Sequence, residues 1–187
     1  MKRYLLFLLI FIMTCQSNKN KIITMESEFG LIKIELFLDN APITVNNFLK
    51  YISEKRYKYF HFYRTVSLNN QSNKEIKIEV IQGGLGLKNH SMRLDPIVHE
   101  NTNITGLKHL NGSISMARIE PGSASSEIFI CINDQPELDY GGKRNPDGQG
   151  FAVFGRVLEG FEVIKLIHNQ KSEDQILKKP IFINFID

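Results

Sequence analysis

Two polar side chains that could bind a ligand through hydrogen bonds stand at the ends of apolar segments. Arg64 follows Phe62 and Tyr63, and Gln82 ends the next apolar segment along the chain. Arginine is seldom buried without a partner. Because Arg64 stands among apolar residues, we expect it either to line a cleft or to form a salt bridge, for example with Glu127. A guanidinium and an amide offer directed hydrogen bonds, which could hold carbonyl or other acceptor groups of a ligand.

The residue types used by hydrolases and metalloenzymes do not form a suitable pattern. The five histidines are scattered, without a pair at the helical spacing of a zinc site. Gly83, Gly84 and Gly86 follow an apolar segment but do not form a phosphate-binding motif. Cys131 lies inside an apolar run, which favours a buried residue over a nucleophile. We therefore expect neither a metal nor a cofactor.

Hydrophobic periodicity predicts the elements that would position these side chains. Residues 31–37 alternate apolar and polar, which predicts a strand in a hairpin with 21–24. A helix is expected to open at Asp39–Pro42 with a capping side chain, because apolar residues follow at spacings of three and four. Further elements are expected as strands at 59–66, 76–81, 112–117, 128–132, 151–157 and 181–186 and a helix at 161–168. Many short strands with two helices favour an all-β fold closed as an antiparallel barrel.

Six segments, taken in order along the chain, resemble the signature segments of the cyclophilins. They are 62–64, 81–84, 107–109, 113–117, 126–130 and 151–155. The resemblance covers about residues 22–187. It implies a closed eight-stranded antiparallel β-barrel with two capping α-helices. It also implies peptidyl-prolyl cis–trans isomerase activity without a cofactor, on proline-containing polypeptides.

The resemblance also implies roles for individual residues. Arg64 corresponds to the catalytic arginine, and Gln82 to the glutamine that positions the substrate. The residues expected to contact the substrate are Val80, Ala117, Glu127, Phe129, Leu138 and Phe151. Without the resemblance, plain core packing would be the better interpretation of Phe129.

Several positions depart from the usual cyclophilin residues. Tyr63 stands where the family has histidine, and Glu127 stands where it has glutamine. Segments 69–74 and 140–149 resemble insertions around the site. These changes leave a second interpretation open, a cyclophilin-like module that binds proline-containing segments with little isomerase activity. A third, a barrel that binds another ligand, is remote because the catalytic arginine and glutamine are both present.

The N-terminus has the pattern of a bacterial export signal. Lys2 and Arg3 precede an apolar run at 4–13, shorter than the about 20 residues of a membrane-spanning helix. Cys15 ends this run as in bacterial lipoproteins, with Thr14 in place of the usual Gly, Ala or Ser.

These features predict how the chain is organised and where it resides. We expect a signal peptide at 1–15 with lipidation at Cys15, a polar linker at 16–20 and one isomerase domain at 21–187. The protein would be a lipoprotein on the periplasmic side of a bacterial membrane, with the outer membrane favoured. If the signal is simply cleaved, it would be a soluble periplasmic protein. The net charge is +3, with Lys2 and Arg3 at the N-terminus, and the rest of the chain is near neutral with interspersed charges, which argues against nucleic acid as a partner. A monomer is the default expectation.

Overall fold

A computed structural model describes residues 20–86 and 90–186. The signal peptide, the lipidation site and most of the linker predicted above lie outside these residues. The strands are β1 (Lys21–Ser27), β2 (Gly30–Leu36), β3 (His61–Val66), β4 (Val80–Gly84), β5 (Ser113–Met116), β6 (Ile128–Cys131), β7 (Ala152–Glu159), β8 (Ser172–Glu173), β9 (Ile176–Phe182) and β10 (Asn184–Ile186). The helices are α1 (Pro42–Ser53), α2 (Thr102–Thr105) and α3 (Phe161–His168), with 3₁₀ turns at Arg56–Tyr59 and Pro136–Leu138.

The strands form one antiparallel sheet in the order β10-β1-β2-β7-β5-β6-β4-β3-β9-β8. The mainly β class is therefore confirmed. The described part of the chain has ten strands and three α-helices, two strands and one helix more than predicted. One additional strand arises because the predicted last strand, 181–186, is divided between two strands in the structure. Of these, β9 pairs with β3 and β10 pairs with β1. The added helix, α2, is a single turn capped by the side chain of Asn101.

The predicted hairpin of β1 and β2 is present, with its turn at residues 28–29. Ile32, Ile34 and Leu36 are fully buried in the main core, as their alternation predicted. Phe48 of α1 is also fully buried and packs on Phe154, with 5.3 Å between ring centroids. Helix α1 therefore closes this side of the core. None of the helices formed by the described residues is long and apolar enough to cross a membrane.

The N-terminus of α1 is satisfied by a distant residue rather than by the local capping side chain that the sequence predicted. Ala41 occupies the cap position and supplies no side-chain hydrogen bond. Instead, the buried carboxylate of Glu100 accepts from the backbone N–H groups of Ile43 and Thr44, at 3.2 and 2.7 Å. A carboxylate here satisfies unpaired N–H groups and the positive end of the helix dipole.

Three side chains from α1 and the turn after it hold the segment that precedes β6. Asn47 of α1 is buried and donates to the carbonyl of Ser125 at 2.7 Å. The Tyr51 hydroxyl lies 2.8 Å from Ser125 Oγ, and the Tyr57 hydroxyl donates to the carbonyl of Ser126 at 2.8 Å. These bonds fix residues that line the groove described next.

Candidate active site

A groove with a volume of about 640 Å³ opens beside β3, β4 and β6. Every residue for which the sequence predicted a catalytic or substrate-binding role lines this groove: Arg64, Gln82, Val80, Ala117, Glu127, Phe129, Leu138 and Phe151. The structure therefore brings these residues together, although they come from segments spread over more than eighty positions of the chain.

Sheet register explains why three of these residues are neighbours. Arg64 of β3 pairs with Gln82 of β4, and Gln82 pairs with Phe129 of β6. Directly paired residues in an antiparallel sheet point to the same face. The register of β3 shifts between Phe62 and Arg64, which marks an irregularity at Tyr63. A bulge lets adjacent residues escape strict alternation, so Tyr63 and Arg64 both reach Gln82.

Arg64 is held by two neutral amides. Its Nη1 donates to Gln82 Oε1 at 2.8 Å, and its Nη2 donates to Gln175 Oε1 at 2.6 Å. Burial lowers the pKa of the guanidinium, since desolvation disfavours its charge. A salt bridge from Arg64 to Glu127 was one interpretation of the sequence, and it is wrong: Glu127 pairs with Arg93, at 3.2 Å.

A chain of hydrogen bonds continues from Gln82 to Glu127. Gln82 Nε2 donates to the Tyr63 hydroxyl at 2.8 Å, and that hydroxyl donates to Glu127 Oε2 at 2.8 Å. The other carboxylate oxygen accepts from the backbone N–H of Leu85 at 3.1 Å. Burial raises the pKa of Glu127, although the bond from Tyr63 opposes this rise. The chain fixes the amide of Gln82 with its oxygen toward Arg64.

An apolar wall faces these polar groups. Phe129 meets Phe151 edge to face, with ring centroids 5.3 Å apart. Phe129, Val80 and Leu138 belong to a small buried cluster that is separate from the main core. Phe129, which is 5% exposed, therefore packs in this cluster and also lines the groove.

A buried polar cluster supports this wall from behind. The ring of His109 stacks on Phe129, with centroids 5.8 Å apart and planes 11° apart. His109 Nδ1 lies 2.8 Å from Asp139 Oδ1, and its Nε2 lies 3.0 Å from Ser115 Oγ. The three residues are arranged like a Ser–His–Asp triad, but Ser115 is fully buried and cannot reach a substrate. The cluster therefore orients Phe129.

Comparison with known proteins decides the family. The family model described as "Cyclophilin type peptidyl-prolyl cis-trans isomerase/CLD" matches residues 22–186. The chain is 35% identical over 153 residues to the peptidyl-prolyl cis-trans isomerase cyp18 of Streptomyces antibioticus, covering 80% of this chain and 84% of that protein. It is 34% identical over 149 residues to peptidyl-prolyl cis-trans isomerase B of Escherichia coli, with coverage of 78% and 82%.

The chain belongs to the cyclophilin-type peptidyl-prolyl cis–trans isomerases. A solved structure agrees on the fold. The crystal structure of a cyclophilin-type isomerase of Cryptosporidium parvum matches with a TM-score of 0.64 and 23% identity, covering 89% of this chain and 96% of that chain. The predicted family and enzyme class are therefore confirmed.

Two departures from the usual cyclophilin residues touch each other. Tyr63 and Glu127 share the 2.8 Å hydrogen bond given above, so one replacement supplies the partner of the other. Two other acidic residues, Glu79 and Glu137, make their hydrogen bonds elsewhere. Glu79 accepts from Asn133 Nδ2 at 3.1 Å, and Glu137 accepts from the backbone N–H of Lys143 at 2.8 Å. Neither is among the residues that line the groove.

Sequence reasoning missed several residues of this cyclophilin's groove. Those with polar side chains include Lys74, Arg93, Arg118, Ser123 and Arg144 on the lining, and Gln175 behind Arg64. The only signal for Lys74 and Arg144 was their place in the two apparent insertions. Gln175 gave none, because it reaches Arg64 from a turn 111 positions away.

Proposed function

We propose that this cyclophilin isomerises X–Pro bonds in exported proteins, with Arg64 as the catalytic residue and Gln82 holding the substrate backbone. One observation supports the proposal most directly. The guanidinium of Arg64 lines a groove with an apolar wall and is held by the amides of Gln82 and Gln175. None of the salt bridges within residues 20–86 and 90–186 involves Arg64, so its charge and the N–H groups that do not bind the two amides are available to a substrate.

The reaction explains why such a site suffices. Resonance gives the peptide C–N bond double-bond character and a rotation barrier of about 18–20 kcal/mol, so X–Pro bonds isomerise in tens to hundreds of seconds unaided. At the twisted transition state the proline nitrogen regains its lone pair. Only rotation occurs, so neither a nucleophile nor a metal is needed. A catalyst must bind the twisted form more tightly than either planar form.

Each group in the groove has a role in that preference. Arg64 donates to the lone pair that emerges on the proline nitrogen or to the substrate carbonyl. Gln82 holds a neighbouring backbone group. Phe129, Val80 and Leu138 grip the proline ring, and Phe151 closes the pocket. The apolar wall lowers local polarity, which disfavours the dipolar resonance form of the planar amide. Ala117 and Glu127 complete the lining, with Glu127 acting through Tyr63.

Isomerase activity on short peptides tests the proposal. The full chain should accelerate cis-to-trans conversion of peptides that contain Ala-Pro and other X–Pro bonds. A cyclophilin-type isomerase of Cryptosporidium parvum has a crystal structure in the presence of the dipeptide Ala-Pro, which supports this choice. If a folded wild type accelerates none of several X–Pro peptides, the alternative interpretation is the better one. The protein would then be a binding module for proline-containing segments.

Tyr63→Phe should lower kcat/KM about three- to tenfold, because one buried hydrogen bond that fixes Gln82 is worth about 0.5–1.5 kcal/mol. A double-mutant cycle with Arg64→Ala distinguishes positioning from general damage. If Tyr63 acts through Gln82 and Arg64, its removal should have little further effect once Arg64 is gone. Tyr59→Phe is the matched control, since Tyr59 is 49% exposed and lies outside the groove. Equal losses in both backgrounds would contradict a positioning role.

The sheet supports a further proposal, closure as an eight-stranded barrel. β9 pairs with β3, β10 pairs with β1, and only Ile183 separates β9 from β10. Taken as one bent strand, β9 and β10 join the two ends of the sheet. Setting aside the two-residue β8, eight strands then remain. The Ile183 N–H donates to the carbonyl of Phe60 at 3.0 Å, which holds the bend against the residue that precedes β3.

Export and membrane attachment rest on the N-terminal sequence. The charged start at Lys2 and Arg3 and the apolar run at 4–13 support a signal, and Cys15 supports lipidation on the periplasmic side of a bacterial membrane, with the outer membrane favoured. A soluble periplasmic form is the outcome if only cleavage occurs. Action as a monomer is the default expectation.

Cys15→Ser should release the protein from the membrane fraction and abolish incorporation of labelled fatty acid. The thiol sulfur is the only atom of that side chain able to accept diacylglycerol, and one or two acyl chains supply the membrane affinity. Cys131→Ala is the matched control, because Cys131 is fully buried in β6. Membrane retention of the Cys15→Ser variant would show that lipidation is not the anchor.

A further inference from the structure

The groove carries more positive charge than its own carboxylates balance. Its lining includes five cationic side chains and one carboxylate, that of Glu127; the cations are Arg64, Lys74, Arg93, Arg118 and Arg144. Two of the cations are paired. Arg93 lies 3.2 Å from Glu127, and Arg118 binds both oxygens of Asp147 at 2.7 and 2.9 Å. Within the described residues, the other three make no salt bridge.

Arg144 is held at the groove by its own loop. Its backbone N–H donates to the carbonyl of Glu137 at 3.2 Å, next to Leu138 of the apolar wall. Its Nη1 donates to the carbonyl of Ile76, so the insertion at 140–149 is bound to the segment that directly follows the insertion at 69–74. The loop is fixed at its far end by Gly150. A Cβ there would lie 2.5 Å from the carbonyl carbon of Asp139.

The free charges are close enough to interact. Partial burial and the positive charge of Arg64 both lower the pKa of Arg144. Like charges in a partly desolvated cleft repel, and they attract any anion that enters. Lys74, which is exposed, lies on the same lining and adds to this field.

We propose that this groove selects proline-containing segments in which an acidic side chain flanks the proline, with Arg144 and Lys74 receiving the carboxylate. The inference rests on the proposed isomerase function and names its substrate class. A carboxylate beside Arg144 would form a charge-assisted pair with unused guanidinium donors and would relieve its repulsion from Arg64. A basic side chain at the same place would add a fourth unpaired cation.

Paired peptides that differ by one charge test the proposal. Each X–Pro peptide carries Glu or its neutral isostere Gln at one position, one or two residues before or after the proline. For the full-length wild type at low salt, kcat/KM should favour Glu over Gln at one of these positions by about three- to tenfold. The ratio should shrink as salt is added, since the screening length is about 10 Å at 0.1 M.

Variants of the loop locate the effect. Arg144→Gln should bring the Glu/Gln ratio close to one, and Lys74→Gln should reduce it. Arg144→Lys, which keeps the charge, should retain most of the preference. Lys143→Gln is the matched control, because Lys143 is exposed and outside the groove lining and should leave activity and ratio unchanged.

The outcomes separate this inference from the proposed function. A wild-type ratio near one at every position, with neutral X–Pro peptides still isomerised, would overturn the acidic preference and leave the isomerase proposal intact. Full preference in the Arg144→Gln variant would overturn it as well. Absence of isomerisation for all peptides would overturn the proposed function itself. Should Arg144→Gln fail to fold, the wild-type ratio and its salt dependence still decide the question.

Discussion

Replacing Arg64 with alanine is expected to lower kcat/KM for an X–Pro peptide by about 10²- to 10³-fold. The sheet register pairs Arg64 directly with Gln82, and Gln82 in turn pairs with Phe129 of the apolar wall. The two amide partners of Arg64 fix the guanidinium before substrate arrives, so its donors need no reorganisation as the transition state forms. Removing this preorganised donor should lower mainly kcat, because the donor binds the twisted transition state more strongly than the planar ground state.

Two further variants are needed to interpret the result for Arg64→Ala. Arg64→Lys keeps the charge but loses the planar fork, so its activity should stay well below that of the wild type. Arg156→Ala is the matched control, because Arg156 is exposed and pairs with Glu35 at 2.8 Å on another part of the sheet. All three should unfold near the wild-type urea concentration. A folded Arg64→Ala variant with more than about a tenth of wild-type activity would place catalysis elsewhere.

Local patterns predicted the strands better than the connections between them. The alternation in β2 and the stripe of α1 both lie within one element, where side-chain period and burial are directly linked. The helix 161–168 was predicted with the bounds that the structure gives to α3. The Glu100 carboxylate beneath α1 had no such signal, because it reaches Thr44 from 56 positions away. The sequence did not predict the bend at Ile183, because the residues on its two sides form one apolar run although they pair with two different strands.

For the site as well, contacts between residues far apart in the chain were harder to predict than local patterns. The resemblance predicted eight residues of the groove lining, and all of them except Leu138 stand within or next to the signature segments. It offered no template for the two apparent insertions, and Arg144 and Lys74 come from them. Gln175 was missed for another reason. It adopts a left-handed conformation with φ 72° in the turn before β9, and only that backbone geometry explains how it reaches Arg64.

Asp139→Ala is expected to lower the free energy of unfolding by about 3 kcal/mol, because it leaves two buried donors of His109 without a partner. Asp139 Oδ1 accepts from the His109 backbone N–H at 3.1 Å and lies 2.8 Å from its ring Nδ1. Only 12% of the Asp139 side chain is exposed, so water does not readily replace it. Urea unfolding measures the loss. Asp95→Ala, at an exposed aspartate, should change stability by less than about 0.5 kcal/mol.

The pH dependence of stability tests the same cluster independently. Burial holds the pKa of His109 below its ordinary value of 6.5, while the hydrogen bond to Asp139 and its negative charge oppose that shift. The folded state therefore binds fewer protons than the unfolded state, and stability should fall as pH drops below about 6.5. In Asp139→Ala the opposing interactions are gone, so the pKa of His109 should fall further and its contribution to the decline should extend to lower pH. An unchanged pH profile, together with a small loss of stability, would show that Phe129 keeps its place without this support.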